Sequence, residues 1–170
     1  MELELAQKIA DEILERLKPH CHQCNIAGSV RREKPEVKDI EFVLHPKDYQ
    51  TGLFKSGVAE IIDSFEFLKG EMNYGKCKYA QRYLSIGLHP PRQEIKIDFF
   101  FADAENYGWI YALRTGSKQF NFTYLREMAK RGYKSEGGYI RHNGEKILIP
   151  DEANLFLRLG MKYVEPKNRI

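Results

Sequence analysis

The chain has 170 residues, of which 42% are hydrophobic and 30% charged, a composition that excludes a collagen, a disordered tail and a small disulfide scaffold. It contains no run of eighteen apolar residues, and its charged N-terminus lacks the apolar core of a signal peptide. We therefore expect a cytoplasmic or otherwise intracellular protein with no membrane partner. Three cysteines, an odd number, favour a reducing compartment.

The net charge of +3 is divided unevenly along the chain. Residues 1–110 carry a net charge of −3, whereas residues 111–170 carry +6. This split favours a phosphate-bearing partner for the C-terminal third, although chance variation of a surface would account for it equally well.

Hydrophobic periodicity and turn residues predict mixed helices and strands in chain order. The first half is predicted to contain a helix over 3–17 ended by Pro19, a strand over 24–27, a basic turn over 31–38, an alternating strand over 39–45 and a helix over 57–69. The second half is predicted to contain strands over 78–88 and 94–101, helices near 106 and over 120–131, a hairpin over 139–149 turning at Asn143-Gly144, and a helix over 153–159 capped by Asp151. This order indicates an α+β fold in two lobes that meet near 102–108.

Two of the predicted strands carry acidic residues on one face. Side chains alternate along a strand, so Asp39 and Glu41 share one face of the first strand, and Lys96 and Asp98 share one face of the second. If the strands are neighbours, the three carboxylates meet in one cluster of hard oxygen ligands that suits Mg²⁺. Each acid could equally be a solvated strand residue, because an Asp-x-Glu triplet is common.

A glycine-serine pair precedes this cluster in the sequence. Gly28 and Ser29 directly follow a predicted buried strand, where backbone N–H groups and a hydroxyl can face an anion. Arg31 and Arg32 come next, and Asp39 begins the following strand. A phosphate-binding turn beside carboxylates and a guanidinium provides the parts that phosphoryl transfer requires.

Four segments together resemble the family X DNA polymerases of the DNA polymerase β-like nucleotidyltransferase superfamily. The segments are GSVRREKPEVKDIEFVLHP at 28–46, KIDFF at 96–100, RTGSKQFN at 114–121 and IPDEANLFLRLGMKYVEPKNR at 149–169. They stand in the family's order and cover most of residues 26–169, and their combination is far more specific than any one of them.

This resemblance implies a fold, an activity and a set of site residues. The fold would be α+β, with a nucleotidyltransferase palm (a mixed sheet with helices on one face) over 1–104 and a small basic α/β lobe for nucleotide and DNA over 105–170. The activity would be that of a monomeric DNA-directed DNA polymerase, which transfers a nucleotide from a dNTP to a primer 3′-hydroxyl in gap-filling repair of primer-template or gapped DNA.

The same resemblance assigns roles to individual residues. Two Mg²⁺ ions, replaceable by Mn²⁺, would be held by the catalytic carboxylates Asp39, Glu41 and Asp98. The nucleotide would be bound by Gly28, Ser29, Arg32, Arg114, Thr115, Gly116, Lys118 and Asn121. Apart from the resemblance, basic residues interleaved with aromatic ones on the helix predicted over 120–131 favour contact with DNA phosphates by Arg126, Lys130 and Arg131, although a solvated helix face is the alternative. Lys96 is also expected to contact DNA.

The chain also departs from the family's pattern. Leu113 and Arg114 replace an aromatic pair that usually packs against the sugar, so we expect weaker rejection of ribonucleotides. Glu41 stands where the family usually has Asp, and Lys96 where it commonly has Arg. Only 27 residues precede Gly28, which suggests a minimal form without lyase and helix-hairpin-helix domains, as in the smallest viral and phage relatives, and without deoxyribose-phosphate lyase activity.

Other interpretations remain open at this stage. The chain could be a template-independent nucleotidyltransferase, or one that modifies RNA or a small molecule. It could also be an inactive nucleic-acid-binding relative, although the intact carboxylates argue against that. The segment PHCHQC could bind zinc through His20, Cys21, His22 and Cys24, but it lacks a second Cys pair, and Cys77 is interpreted as an ordinary core residue.

Overall fold

The computed structural model describes residues 1–47, 57–64, 68–69, 79–86 and 93–170 of the chain. The α-helices in these ranges span Leu3–Leu17 (α1), Gly28–Arg31 (α2), Gly57–Ser64 (α3), Tyr107–Thr115 (α4), Lys118–Lys130 (α5) and Glu152–Arg158 (α6). The strands span Cys21–Ile26 (β1), Asp39–Pro46 (β2), Leu68–Lys69 (β3), Tyr79–Ile86 (β4), Gln93–Phe101 (β5), Tyr133–Glu136 (β6), Tyr139–His142 (β7) and Glu145–Ile147 (β8). Short 3-10 helices follow α1 and precede the C-terminus, at Lys18–His20 and Pro166–Asn168. This arrangement confirms the predicted α+β class.

A five-stranded mixed sheet forms the N-terminal part of the molecule. Its strand order is β1-β2-β5-β4-β3. The central strands β2 and β5 are parallel, and their register places Asp39 opposite Lys96 and Glu41 opposite Asp98. The other strand pairs are antiparallel.

One face of this sheet is buried against α1. The helix contributes an apolar stripe that includes Ala6, Ala10, Ile13 and Leu17, all fully buried. The sheet contributes alternate residues of β2 and β5, which are Ile40, Phe42, Leu44, Ile95, Ile97, Phe99 and Phe101. Because side chains alternate along a strand, burying these residues forces their neighbours Asp39, Glu41, Lys96 and Asp98 onto the opposite face.

The C-terminal part has a core of its own. Trp109, Tyr124 and Phe156 meet there edge to face, with ring centroids 6.3 and 5.6 Å apart. A third cluster, which includes Val43 and Tyr107, joins this part to the sheet. The predicted boundary between residues 104 and 105 stays a prediction, although the two main cores lie on its two sides.

Most predicted elements are present, but several boundaries were wrong. The helix predicted over 57–69 ends at Ser64, and residues 68–69 form β3 instead. The strand β6 at 133–136 was missed. Both strands are fixed by pairing with β4 and β7, respectively, which local periodicity does not report. Cys77 and parts of the segments predicted over 57–69 and 78–88 lie outside the described residues.

Two further predictions concern local features. Asp151 caps α6 as predicted, with its side chain accepting a hydrogen bond from the Asn154 N–H at 2.7 Å. None of the helices in the described ranges combines the length and apolarity needed to cross a membrane.

A buried carboxylate connects the two parts of the molecule. Glu152, at the start of α6, accepts hydrogen bonds from both terminal nitrogens of Arg31 at 3.0 and 2.7 Å and from Arg169 at 2.6 Å. Arg169 is fully buried, and the Tyr163 hydroxyl donates to Glu152 at 3.2 Å. Burial raises the pKa of Glu152, but the hydrogen bonds from Arg169 and Arg31 outweigh it and hold the pKa below its usual range.

Replacing this carboxylate should destabilise the whole chain. Glu152→Gln leaves two guanidinium groups without their shared counterion, so the free energy of unfolding should fall by about 3–5 kcal/mol. Because the pKa of folded Glu152 is lowered, its stabilisation is complete above the usual carboxyl pKa and is lost as the pH falls through the lowered value. Chemical denaturation of the wild type and the variant between pH 3 and 7 measures both effects.

The matched control for this measurement is Glu165→Gln. Glu165 is exposed and makes no ion pair with any residue in the described part of the chain. Equal stability of the two variants would show that the Glu152 network contributes nothing.

Candidate active site

Three carboxylates and one ammonium group share the open face of the sheet. β2 and β5 are neighbours, which is the condition that the sequence analysis required for one cluster, and they carry Asp39, Glu41, Lys96 and Asp98 side by side. Lys96 Nζ lies 2.8 Å from Asp98 Oδ2 and 3.6 Å from Asp39 Oδ2. Asp98 is buried, with 3% of its surface exposed. The cluster thus combines two ion-paired aspartates with Glu41, whose pKa is raised in part by the charges of both aspartates.

Crowding of like charges changes the protonation of Glu41. Burial, followed by the charges of Asp39 and Asp98, raises the pKa of this carboxyl to about 7, while Arg114 and Arg32 act in the opposite direction. At neutral pH the side chain therefore holds a proton in a large fraction of molecules. Such a site favours any ligand that brings positive charge.

The turn at the start of α2 lies directly against Glu41. Gly28 adopts a left-handed conformation with φ of 62°, and a Cβ there would lie 2.0 Å from Glu41 Oε2. The Ala27 N–H donates to the Glu41 carbonyl at 2.8 Å, which holds the turn against β2. Only glycine fits this position, for both conformational and steric reasons. The next residue, Ser29, is thereby placed next to the carboxylates.

Two consecutive arginines connect this turn to the end of α4. The Arg32 guanidinium donates to the Thr115 carbonyl, and Arg31 donates to the Thr115 hydroxyl at 2.5 Å. Thr115 is fully buried. A Cβ on Gly116, whose φ is 69°, would lie 2.9 Å from Arg32 Nη1, so the glycine gives that guanidinium its space. Thr115 thus connects the turn to α4 through both its polar groups.

Asn121 and Lys118 lie on the first two turns of α5. The Ser117 side chain caps this helix by accepting from the Phe120 N–H at 3.1 Å. The Asn121 amide donates to the Leu113 carbonyl at 2.9 Å, which fixes its orientation. Lys118 is exposed at the start of the helix. Of these two residues, Asn121 is therefore held in place by a hydrogen bond to the end of α4, whereas Lys118 extends from an exposed position.

The predicted nucleotide site contains buried polar atoms without a hydrogen-bond partner among the described residues. Ser29 Oγ, Arg32 Nε and Asn121 Oδ1 are examples. Buried polar groups in folded proteins are almost always paired, and an unpaired one requires an explanation. A polar ligand that reaches these atoms would provide one.

Arg114 contacts the carboxylate face of the sheet. Its guanidinium lies 3.8 Å above the centre of the Phe100 ring. Its positive charge opposes the net rise in the pKa of Glu41. Leu113 and Phe100 line the same cavity of about 380 Å³ next to α4. Arg114 therefore reaches from α4 to the carboxylate face of the sheet.

Three of the four basic residues predicted to contact DNA surround one acid, and the fourth, Lys96, pairs with Asp39 and Asp98 instead. Glu127 lies 3.6 Å from Arg126 Nε, 2.7 Å from Lys130 Nζ and 2.9 Å from Arg131 Nη1. Part of their charge is thus compensated within α5. Their role toward DNA stays a prediction.

The carboxylates of β2 and β5 are the candidate ligands for a divalent cation. Within the described residues, no three His, Cys, Asp or Glu side chains already form a metal-binding group. Asp39, Glu41 and Asp98 nevertheless fit a hard cation by their chemistry, because they are carboxylates on rigid neighbouring strands. Lys96 lies between two of them.

The cysteines that suggested zinc belong to the core. Cys21 and Cys24 lie on β1 and are buried in the core cluster of the sheet, and the His22 ring packs against His45 with centroids 4.9 Å apart. In this segment the two thiols are therefore buried, whereas His22 is exposed and His20 is half-buried.

Sequence reasoning missed the roles of Arg31 and Glu152. Arg31 was noted only as part of the basic turn, yet it bonds both Thr115 and Glu152. Glu152 lies 121 residues away in sequence, so no local spacing could have paired them. The nearest signal was the presence of two adjacent arginines after a glycine-serine turn.

Known proteins resemble this chain in sequence and in fold. The family described as DNA polymerase beta thumb matches residues 111–170. Over 172 aligned residues the chain is 28% identical to the DNA polymerase/3′-5′ exonuclease PolX of Bacillus subtilis (strain 168), an alignment that covers 96% of this chain and 27% of that protein. The chain therefore spans little more than a quarter of the length of this relative.

A solved structure shares the fold over the whole chain. Leishmania infantum polymerase beta in a ternary P/T complex superposes with a TM-score of 0.77 at 16% sequence identity, covering 100% of this chain and 76% of that one. The likeness confirms the predicted nucleotidyltransferase-type α+β fold. Neither of these similar proteins supports the viral origin suggested by the chain's length.

The raised pKa of Glu41 predicts how stability changes with pH. Without divalent cations, the free energy of unfolding should fall as the pH rises from about 4.5 to above 7, because the folded carboxyl binds its proton more tightly than the unfolded one. The expected loss is about 3 kcal/mol. Glu41→Gln should remove this contribution, and denaturant titrations in a chelator from pH 4 to 8 measure it.

Glu12→Gln serves as the control, because Glu12 is an exposed residue of α1. The control should keep the full pH dependence of the wild type. An unchanged pH profile in Glu41→Gln would contradict the electrostatic description of the cluster.

Proposed function

We propose that this chain, which the comparisons identify as a family X DNA polymerase-like protein, transfers a nucleotide from a dNTP to a primer 3′-hydroxyl on DNA. The observation that carries the proposal is the β2–β5 register, which sets Glu41 opposite Asp98 directly beside the Gly28 turn. A carboxylate cluster beside a turn with an unpaired buried hydroxyl suits a triphosphate and the charge that develops as it reacts.

The carboxylates have the metal-holding role in this proposal. Asp39, Glu41 and Asp98 would bind two Mg²⁺ ions, or Mn²⁺ in their place. When bound, such ions neutralise phosphate charge and lower the pKa of the attacking hydroxyl. Asp98 would lie nearest to that hydroxyl, and its burial at the sheet surface fixes its position.

The polar atoms of the turn and of α5 have the binding role. Gly28, Ser29 and Arg32 would contact the β- and γ-phosphates, and the Ser29 hydroxyl and Arg32 Nε would find their partners there. Thr115, Gly116, Lys118 and Asn121 would line the sugar and base. In the reaction the primer 3′-hydroxyl loses its proton and its oxygen forms a bond to the α-phosphorus of the dNTP. The bond between the α-phosphorus and the oxygen that bridges it to the β-phosphorus breaks, and pyrophosphate leaves.

The partner in this proposal is primer-template or gapped DNA, bound by a monomer. The basic C-terminal third supports it, as does the likeness to a polymerase whose solved structure is a ternary primer/template complex. Gap-filling repair synthesis is the corresponding biological reaction. A template-independent nucleotidyltransferase, or one that acts on RNA or a small molecule, would use the same carboxylates.

Removing one carboxylate should abolish incorporation. Asp39→Asn or Asp98→Asn should lower single-nucleotide incorporation by a factor of about 10²–10³ or more, because positioning and charge neutralisation carry phosphoryl transfer. The assay measures extension of gapped, recessed, blunt and single-stranded DNA with each dNTP. Incorporation that does not follow the template base would favour the template-independent alternative.

Asp11→Asn is the control for both variants, since Asp11 is exposed on α1. Its activity should equal that of the wild type. Circular dichroism should show that all three variants fold. Near-normal incorporation by a folded Asp98→Asn protein would contradict the proposed site.

Arg114 provides a separate test of the sugar pocket. An aromatic side chain excludes a 2′-hydroxyl by contact, whereas a flexible guanidinium can move aside or donate to it. Arg114→Phe should therefore raise the preference for dGTP over GTP by up to about tenfold. The ratio of the two kcat/KM values, measured with both proteins on one template, decides it: equal weakening of both nucleotides would remove Arg114 from the pocket.

A further inference from the structure

Two histidine rings meet on neighbouring strands of the five-stranded sheet. His22 lies on β1 and His45 on β2, and their ring centroids are 4.9 Å apart with the ring planes inclined at 51°. β1 and β2 are antiparallel, and Gln23 is the residue directly opposite His45, so the two histidines are diagonal neighbours across the strand pair. His22 is exposed and His45 is half-buried. Both imidazoles are therefore within reach of a dissolved ion.

An irregularity in β1 explains why the two rings face the same side. Side chains alternate along a regular strand, but the register of β1 shifts between Cys21 and Gln23. Cys21 and Cys24 both belong to the core, while the two residues between them, His22 and Gln23, are both exposed. Bulges often direct a side chain in this way. The segment PHCHQC is thereby divided, because its thiols face the core and His22 faces His45.

The histidine pair is separate from the carboxylate cluster. By alternation, His45 shares one face of β2 with Glu41, but it lies four residues further along, a distance of about 13 Å at the ordinary rise of a strand. Val43 lies between them and is buried in a cluster with Tyr107, whose hydroxyl donates to the Val43 carbonyl at 3.2 Å. A ligand held by the two histidines would therefore share no protein atom with one held by the carboxylates.

We propose that His22 and His45 form a second metal site, which binds a transition-metal cation such as Zn²⁺ or Ni²⁺ and joins β1 to β2. Imidazole nitrogen suits these ions, whereas Mg²⁺ prefers oxygen ligands, so the two sites select different cations. The described part of the chain contains no group of three His, Cys, Asp or Glu side chains placed to hold a metal. The two imidazoles are thus the protein ligands, and water completes the coordination.

A cation at this position stabilises the strand pair that carries the candidate active site. β1 leads directly into the Gly28 turn, and β2 carries Asp39 and Glu41. An ion that binds the folded chain more tightly than the unfolded chain raises the free energy of unfolding as its concentration rises. This inference does not depend on polymerase activity, because neither histidine belongs to the proposed catalytic or nucleotide-binding residues.

The first measurement is the binding of Zn²⁺ and Ni²⁺ to the untagged chain by calorimetry. The buffer is held at pH 7.5, where imidazole is mostly neutral, and contains excess Mg²⁺ to compete for the carboxylates. His22→Gln and His45→Gln should each weaken the binding of both ions at least about tenfold, because changes around a metal ligand alone weaken binding by about 10–100-fold.

Three further variants serve as controls. His142→Gln is the matched one, because His142 lies on β7 with its ring against Tyr133, and it should bind both ions as the wild type does. Cys24→Ala should also keep the wild-type affinity, which distinguishes the imidazole pair from the thiols. Asp98→Asn should keep it as well, which separates this site from the proposed magnesium site.

Thermal unfolding provides a second readout that does not involve activity. Zn²⁺ or Ni²⁺ should raise the unfolding temperature of the wild type and of His142→Gln, and should leave that of folded His22→Gln unchanged. Equal metal affinity of His22→Gln, His142→Gln and the wild type would overturn this proposal and leave the polymerase assignment standing. Loss of binding in Cys24→Ala but not in His22→Gln would assign the metal to the thiols and would overturn it too.

Discussion

The parallel register between β2 and β5 is the constraint on which the site depends. Burial of Ile40, Phe42 and Ile97 against α1 forces every second residue of both strands to the opposite face. A register shift of one residue would move the carboxylates into the apolar core, where unpaired charges strongly destabilise a fold. The hydrophobic core therefore sets the position of the acidic cluster, although the core residues of β2 and β5 lie on the opposite face of the sheet.

Three carboxylates on neighbouring strands repel one another, and nearby residues reduce this repulsion. Glu41 responds by holding its proton to about pH 7, and Lys96 lies between the two aspartates. Gly28 lets the turn at the start of α2 approach Glu41 without a steric clash. Each of these features leaves the cluster ready to accept positive charge, which is the property that a nucleotidyltransferase site requires.

Arg31 and Arg32 link the geometry of the turn to that of the C-terminal part. The two guanidinium groups reach Thr115 and Glu152, which belong to α4 and α6. A shift of those helices relative to the sheet would therefore change the position of Ser29 and of Arg32 itself. The net positive charge of the C-terminal third does not by itself identify residues that contact DNA. Three of its basic residues, Arg126, Lys130 and Arg131, already pair with Glu127.

The sequence by itself determined whatever depends on local periodicity and local chemistry. Alternation along the strands placed Asp39 and Glu41 on one face, and the Asp151 cap was readable from its neighbours. Only the tertiary structure decided what depends on pairing between distant segments, which includes β3, β6 and the Glu152 network. It also showed that Lys96 pairs with Asp98 and Asp39, while its predicted contact with DNA stays a prediction. The physical reason is that a hydrogen bond or an ion pair depends on distance in space, which sequence spacing reports only within one helix or strand.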